Sequence, residues 1–318
     1  MLARLMQVLV IGQWLLAAVV AALLWRAGGP VMAVLGALLI LGFYALVLAL
    51  EFAFLRLAHG QDPAPRASWA QLLGAWWGEA RAVPAVFFWR QAFRSQLWPD
   101  HMPQKARGRR GVLLLHGFVC NRGLWNAWLS RLHQQDVSVI ALSMEPVFGS
   151  IGEYRQQIDS AVSRLEVATG LAPVVVAHSM GGLALRRWWA DQADAGRIHH
   201  AITMGSPHQG TWLARFALTL NSMQMHQHSP WLKELQGLEA SQPPGRASRM
   251  TCYYSHCDNI VFPASTATLP GADNRHLAGT AHLHMADHPE PWAELQRRLS
   301  RPDSSSASAA EPEAAGSR

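Results

Sequence analysis

Two uncharged stretches near the N-terminus constrain this chain more than any other feature. Leu5 to Trp25 carries no charged side chain, and Val31 to Leu50 has neither charged nor amide side chains. An α-helix rises about 1.5 Å per residue, so each stretch can cross a hydrocarbon core of roughly 30 Å. Arg26-Ala-Gly-Gly-Pro30 lies between them and supplies a polar turn with two kinds of helix breaker. The pattern predicts a transmembrane helical hairpin over residues 1–56. A cleaved signal peptide followed by a buried helix is the other reading. It fits less well, because a signal core spans only about 7–15 residues and no small-x-small cleavage site precedes the second stretch. Arg4, Arg56 and Arg66 flank the hairpin on one side and Arg26 sits in its turn. By the positive-inside rule both ends, and the domain that follows, face the cytoplasm.

Residues 57–110 read as a membrane-proximal helical connector. Trp69, Leu72, Leu73, Trp76, Trp77 and Ala80 repeat with the spacing of one apolar helix face. Pro84 suits the first turn of a further helix carrying Phe87, Phe88, Trp89, Phe93 and Leu97 beside Arg90 and Arg94. Tryptophan with arginine is what an interfacial helix presents to lipid headgroups. Packing on the soluble domain explains the same stripe, and the pattern alone does not choose. Lys105 to Arg110 is a basic linking loop.

From Gly111 the pattern changes to short apolar runs alternating with amphipathic stretches. Strands are expected at Gly111–Leu115, Val137–Ala141, Pro173–Ala177, His200–Met204 and Met250–Tyr254. Helices are expected near Leu124–Leu132, Glu153–Ala168, Leu183–Ala193 and Pro291–Leu299. Strand-helix alternation predicts an α/β domain over 111–300, with a mostly parallel sheet and helices on both faces. A polar, small-residue tail occupies 301–318. The 3 cysteines cannot build a disulfide framework, and free thiols are expected. A net charge of +6 permits an anionic partner, but the excess is scattered, which favours membrane lipid over nucleic acid.

The chemistry centres on Val174-Val-Val-Ala-His-Ser-Met-Gly-Gly182. A serine between small residues, with an apolar strand before it and a helix after it, is a nucleophile elbow that exposes Ser179 above the sheet edge. A structural strand-helix turn is the alternative. Leu115-His116-Gly117-Phe118 ends the first soluble strand, where a backbone N–H must face a developing oxyanion. The N–H groups of Phe118 and Met180 are the expected donors. His116 precedes the serine in the chain and reads as an orienting residue.

Together these segments resemble the α/β-hydrolase lipases and esterases, above all small bacterial lipases with Ala-His-Ser-Met-Gly and the inositol-deacylase-like hydrolases. Thr203-Met-Gly-Ser-Pro-His-Gln-Gly-Thr211 is similar to their Gly-[Ser/Thr]-Pro-His-x-Gly segment. The resemblance runs from about Gly111 to Leu299 and leaves the hairpin and connector outside. It implies an α/β-hydrolase fold. Asp258, in a segment similar to the Asp-x-x-Val-x-Pro loop, is then the acid, and His282 of Gly279-Thr-Ala-His282 the base. Asp136, Asp273 and Asp287 are weaker acids by placement, and His256 and His276 are the next candidates for the base. His284 and His288 are expected at the surface or at a helix start. Gly117, His178 and His208 are expected on the substrate side, with a structural role the other reading for His208. Residues 212–242 break the strand-helix rhythm with an apolar, methionine-containing stretch, which reads as a cap over an acyl pocket or as a helix packed on the sheet.

The function implied is a membrane-anchored serine hydrolase of carboxylic esters, with acyl-chain or lipid substrates, in a bacterial inner membrane. No metal or organic cofactor is called for. An acyltransferase or thioesterase would use the same residues, and a non-catalytic membrane scaffold could keep the fold without the activity.

Overall fold

The computed structural model describes residues 1–300, and the tail expected over 301–318 lies outside them. Its centre is a 6-stranded sheet of β1 (Val112–Leu115), β2 (Val139–Ala141), β3 (Val174–His178), β4 (His200–Met204), β5 (Met250–Tyr254) and β6 (Asp273–His276). The order is β2-β1-β3-β4-β5-β6 and every pairing is parallel. Leu115 pairs with Ala177 and His178 with Met204, so β1, β3 and β4 end level with one another. Apolar runs without alternation suit such strands, because a parallel sheet is covered on both faces. The expected strands are therefore present. The addition is β6, whose Asp-Asn-Arg-His sequence has no apolar run and whose first residues are exposed at the sheet edge.

The longer helices are α1 (Leu2–Leu57), α2 (Trp69–Val83), α3 (Asn126–Gln134), α4 (Arg155–Thr169), α5 (Met180–Ala190), α6 (Pro230–Ala240) and α7 (Pro289–Ser300). Successive strand residues point to opposite faces. Leu113, Leu115, Val175 and Ala177 pack with Ile158 and Leu165 of α4, Leu183 of α5 and Leu232 and Leu235 of α6. Val112, Leu114, Val174 and Val176 pack with Leu129 and Leu132 of α3 and Leu295 of α7. Helices thus cover both faces of the sheet. The helix expected from Leu183 starts three residues earlier, directly after Ser179. All 3 cysteines are buried and free.

The long apolar helix α1 is interrupted at Gly29 (φ 82°, ψ −173°), immediately before Pro30. A positive φ there needs glycine, and the break reverses the chain. Gln13 Nε2 donates to Ile40 O (2.9 Å), so the two arms lie side by side. Gly36 permits their approach, since a Cβ there would lie 2.3 Å from Leu24 Cδ1. α2 opens on a capping box in which Ser68 and Gln71 exchange side-chain and backbone hydrogen bonds. Pro84 does not begin a separate α-helix; the chain continues from α2 through π-type turns over Pro84–Arg90. The connector stripe divides by face. Leu72 and Ala75 pack with Phe52 and Leu55 of α1 and with Cys257, Phe262 and Ala281, while Trp69, Leu73 and Trp77 stay exposed.

Residues 212–242 divide as well. Leu232 and Leu235 of α6 join the sheet core, as a packed helix would, whereas Phe216, Leu218, Leu220 and Met223 are exposed. A close approach of backbone to backbone lies between α5 and the end of β1, where a Cβ on Gly181 would sit 2.7 Å from His116 O and 2.8 Å from Leu115 O. Gly181→Ala should therefore lower stability by about 1–3 kcal/mol, because neither carbonyl can move without disturbing the sheet. Thermal unfolding of the two proteins in the same detergent measures the difference.

Candidate active site

β3 delivers its last residue, His178, level with the ends of β1 and β4, and Ser179 then turns the chain into α5. Ser179 adopts φ 55°, ψ −128°, an uncommon region for a residue with a Cβ. Its N–H donates to Met204 O (2.9 Å), and its carbonyl accepts from Gly182 (3.0 Å). Ser179 is 5% exposed. Gly117 lies against it: a Cβ on Gly117 would be 2.8 Å from Ser179 Cβ and 3.3 Å from Oγ. Any larger residue would close the approach to the hydroxyl.

The loop after β1 is held by His116. Its Nε2 accepts from Met144 N (2.8 Å) and its Nδ1 donates to Gly117 O (2.8 Å). Burial, only partly opposed by the Gly117 bond, lowers its pKa to about 4, so the ring is neutral and serves as a brace. Val119 beyond it has φ 51°, a strained value for a β-branched residue and one typical of constrained sites. Among the described residues, neither the N–H of Phe118 nor that of Met180 has a protein acceptor. Met180 is the first residue of α5, whose leading N–H groups are unpaired by helix geometry and carry the positive end of its dipole.

Opposite the serine, Asp258 and His282 form a buried pair. His282 Nδ1 lies 2.9 Å from Asp258 Oδ1 and 3.0 Å from Oδ2, with the two residues 7% and 1% exposed. Asp258 Oδ1 also accepts from Ile260 N (2.9 Å) and Val261 N (2.8 Å), which fixes the carboxylate. Gly205 (φ 55°) admits the pair, since a Cβ there would be 2.9 Å from both Asp258 Oδ2 and His282 Nδ1. Burial disfavours a charged imidazole. Asp258 alongside, with Glu79 and Glu51 farther off, outweighs it and raises the His282 pKa above its ordinary 6.5. The ring lies beside that of His178, with centroids 4.6 Å apart, and is not hydrogen-bonded to Ser179. His178 Nε2 donates to His282 O (3.0 Å), and burial, reinforced by His282, drives the His178 pKa to about 3.

Ser179, Gly117, Phe118, Met180, His178, Asp258 and His282 are thus brought to one sheet edge. His208 is not of this kind: its ring is fully buried, bonded to Thr203 on β4 (3.0 Å), and its carbonyl accepts from Arg186. It braces β4 beside a cavity of about 620 Å³ that neither Ser179 nor His282 lines. The structure therefore places it apart from the Ser179 cluster, in a bracing position on β4. The other acids are engaged elsewhere, Asp136 with His101, Asp273 with Arg275 and Asp287 with Arg90. His256 and His276 bond each other (2.7 Å), and the side chain of His284 is exposed. Absent from the sequence reading were Glu79, Glu51 and Asn259, which surround the His282 loop. A signal existed for two of them: Glu79 is the one acidic residue in α2, and Glu51 the one in α1.

No protein-family model matches the sequence, and no curated protein matches it either. Solved structures do. The mature lipase BlEst2 of Bacillus licheniformis is 13% identical with a TM-score of 0.54, over 62% of this chain and 95% of that one. Lipase B of Aspergillus fumigatus is 17% identical with a TM-score of 0.50, over 63% of this chain and 60% of that one. At such identities the likeness is one of fold alone: the mostly parallel sheet with helices on both faces is consistent with the α/β-hydrolase fold.

Three buried histidines therefore differ in charge for physical reasons. In ¹⁵N-histidine spectra, His282 should titrate above its ordinary 6.5, whereas His116 and His178 should stay neutral throughout about pH 5–8. Titration of His178 within that range would contradict its burial against His282.

Proposed function

We propose that the chain is a membrane-anchored serine hydrolase of carboxylic esters. The observation that carries this reading is the bonded Asp258–His282 pair beside Ser179, with two unpaired backbone N–H groups at the same sheet edge. Ser179 Oγ attacks the acyl carbon as His282 Nε2 removes its proton. Asp258 holds Nδ1–H and stabilises the imidazolium. Phe118 and Met180 N–H groups receive the tetrahedral oxyanion, and the helix dipole adds to the second. His282 then protonates the leaving alcohol, and a water activated by the same ring releases the acyl group from Ser179. Gly117 leaves the space in which the ester carbonyl sits, and His178 backs the imidazole with an uncharged ring.

The membrane reading rests on α1. Its most apolar stretch is only 11% buried, so it is not a core helix. Leu9, Trp14, Leu15, Val19, Leu23, Leu35, Leu38, Phe43 and Leu46 are all exposed, and in water so large an apolar surface would drive aggregation. The two arms span the bilayer and return, with the hydrolase on the cytoplasmic face. Exposed Trp69, Trp77 and Trp89 sit at headgroup level. Substrates are acyl esters reached from that surface, with the exposed Phe216, Leu218, Leu220 and Met223 offered to their chains.

Ser179→Ala should abolish labelling by a fluorophosphonate probe along with turnover, while the circular dichroism spectrum stays unchanged. An unlabelled wild-type protein would identify a scaffold instead. His282→Ala should slow hydrolysis of a short-chain ester by at least about 10³-fold, and Asp258→Asn should be severely impaired through the wrong imidazole tautomer. His284→Ala should retain most activity, its side chain being exposed. Because only the neutral base accepts a proton, kcat/KM should fall as pH drops through a value above 6.5. Acyl transfer to an added alcohol, faster than to water, would mark a transferase.

The full chain should remain with membranes after alkaline or high-salt washing, as detected by immunoblot. Release by salt alone would refute the spanning hairpin.

A further inference from the structure

The hydrolase portion does not hold the loop of its base by itself. His282 opens the short 3₁₀ turn Leu283–Asp287, and no side chain of its own caps that turn. The leading N–H groups of such a turn need acceptors. Met285 N finds Ala281 O (3.1 Å), but the acceptors for His282, Leu283 and His284 depend directly or by one relay on residues outside 111–300. Glu79 of α2 receives Leu283 N at Oε1 (2.8 Å) and His284 N at Oε2 (3.0 Å). His282 N donates to Asn259 Oδ1 (3.2 Å), and Asn259 Nδ2 donates to Glu51 Oε2 of α1 (2.7 Å). Asn259 follows the acid Asp258, so this relay touches both catalytic loops at once.

Packing repeats the hydrogen-bond pattern. Phe52 and Leu55 of α1 and Leu72 and Ala75 of α2 cluster with Cys257, Phe262 and Ala281, which flank the acid and the base in sequence. Glu79 is 3% exposed, and a buried carboxylate without partners is costly. It is satisfied only when the base loop lies where it is seen. Burial raises its pKa to about 7 against the two N–H bonds, so its charge is present on the alkaline side of neutrality.

We infer that Glu79 and Glu51 are positioning residues for His282, so that the hairpin and connector complete the catalytic geometry as well as attaching it to the membrane. The inference rests on the hydrolase reading above. The catalytic pair is supported from two directions: Asp258 fixes the ring through Nδ1, and the two glutamates fix the backbone that carries the ring. A connector lifted from the base loop would orphan consecutive N–H groups and free the imidazole to swing from Ser179. The enzyme would then be competent only with its N-terminal helices docked.

The test uses the full chain in detergent or nanodiscs, with fluorophosphonate labelling of Ser179 and pH profiles on a soluble ester. Glu79→Ala should lower kcat by about tenfold to a hundredfold, as expected for a base displaced by roughly 1 Å. KM should stay within about threefold, since no substrate contact is lost. Glu79→Gln removes a negative charge from a ring that also faces Asp258, Glu51 and neutral His178, and the acid limb of kcat/KM should move to lower pH. Glu51→Gln should move it the same way, to a smaller extent. Leu72→Ala, which loosens the same packing without touching a carboxylate, should lower the melting temperature and leave the acid limb in place. If Glu79→Ala does not fold, the two glutamine variants decide by the same limb. A labelled wild type with glutamate variants unchanged in kcat and acid limb overturns this inference alone. An unlabelled wild type overturns the hydrolase reading beneath it.

Discussion

The turn at Ser179 is the constraint on which the rest of the structure depends. A non-glycine residue held at φ 55°, ψ −128° costs about 1–3 kcal/mol and persists only when its surroundings over-determine it. Those surroundings are the fully buried β3, pinned between β1 and β4, and the Ser179 N–H bond to Met204 O. α5 can leave at that angle only because Gly181 meets the carbonyls of β1 and Gly182 meets Ser206 without side chains between. Given that turn, the loops after β1 and β4 must lie on either side of the serine. Gly117 and Gly205 then provide the room that a hydroxyl and an acid–base pair require.

The central sheet was legible because its strands are covered on both faces. Val112–Leu115 and Val174–His178 have no polar residue to alternate with until the last position of β3, and a run so apolar has few other places to go. β6 was illegible for the converse reason: Asp273–His276 pairs by backbone alone at an edge, and its side chains carry no pattern. The elbow and the Gly117 loop could be read as local chemistry. Selecting Asp258 and His282 among many acids and 15 histidines took chain order and family likeness, since burial is what separates His282 from exposed His284. The packing of His208 against Thr203 was not legible, because a motif gives position along the chain, not the side of a strand to which a ring turns. Glu79 was missed because a single acid in a helix reads as a solvated face. Its partners lie 204 and 205 residues away.

The 14 tryptophans show how one residue type can mean different things along a chain. Trp125, Trp188 and Trp189 are among the largest fully buried side chains and fill the helix layers around the sheet. Trp14, Trp25, Trp69, Trp77 and Trp89 are exposed, and all precede the sheet. Composition sums these populations and shows neither. Only the spacing of each group relative to the uncharged stretches hints that the first set packs protein and the second meets something else.

The ends of α1 touch the Ser179 face of the domain at two separate places. Leu2 and Met6 pack with Val147 and against Val119 of the loop after β1, while Phe52 and Leu55 pack with Phe262 and Ala281 beside the acid and base. A domain hung from a single linker can swing like a bob on a string. Fastened at both edges of its active face, it behaves as a platform on two legs. With both arms spanning a bilayer, as proposed above, the height of Ser179 above the hydrocarbon would be set by helix length, at about 1.5 Å for each residue. With the function proposed above, such a platform is a depth gauge: among bonds of equal reactivity, it would cut those that the membrane presents at the one level its legs allow.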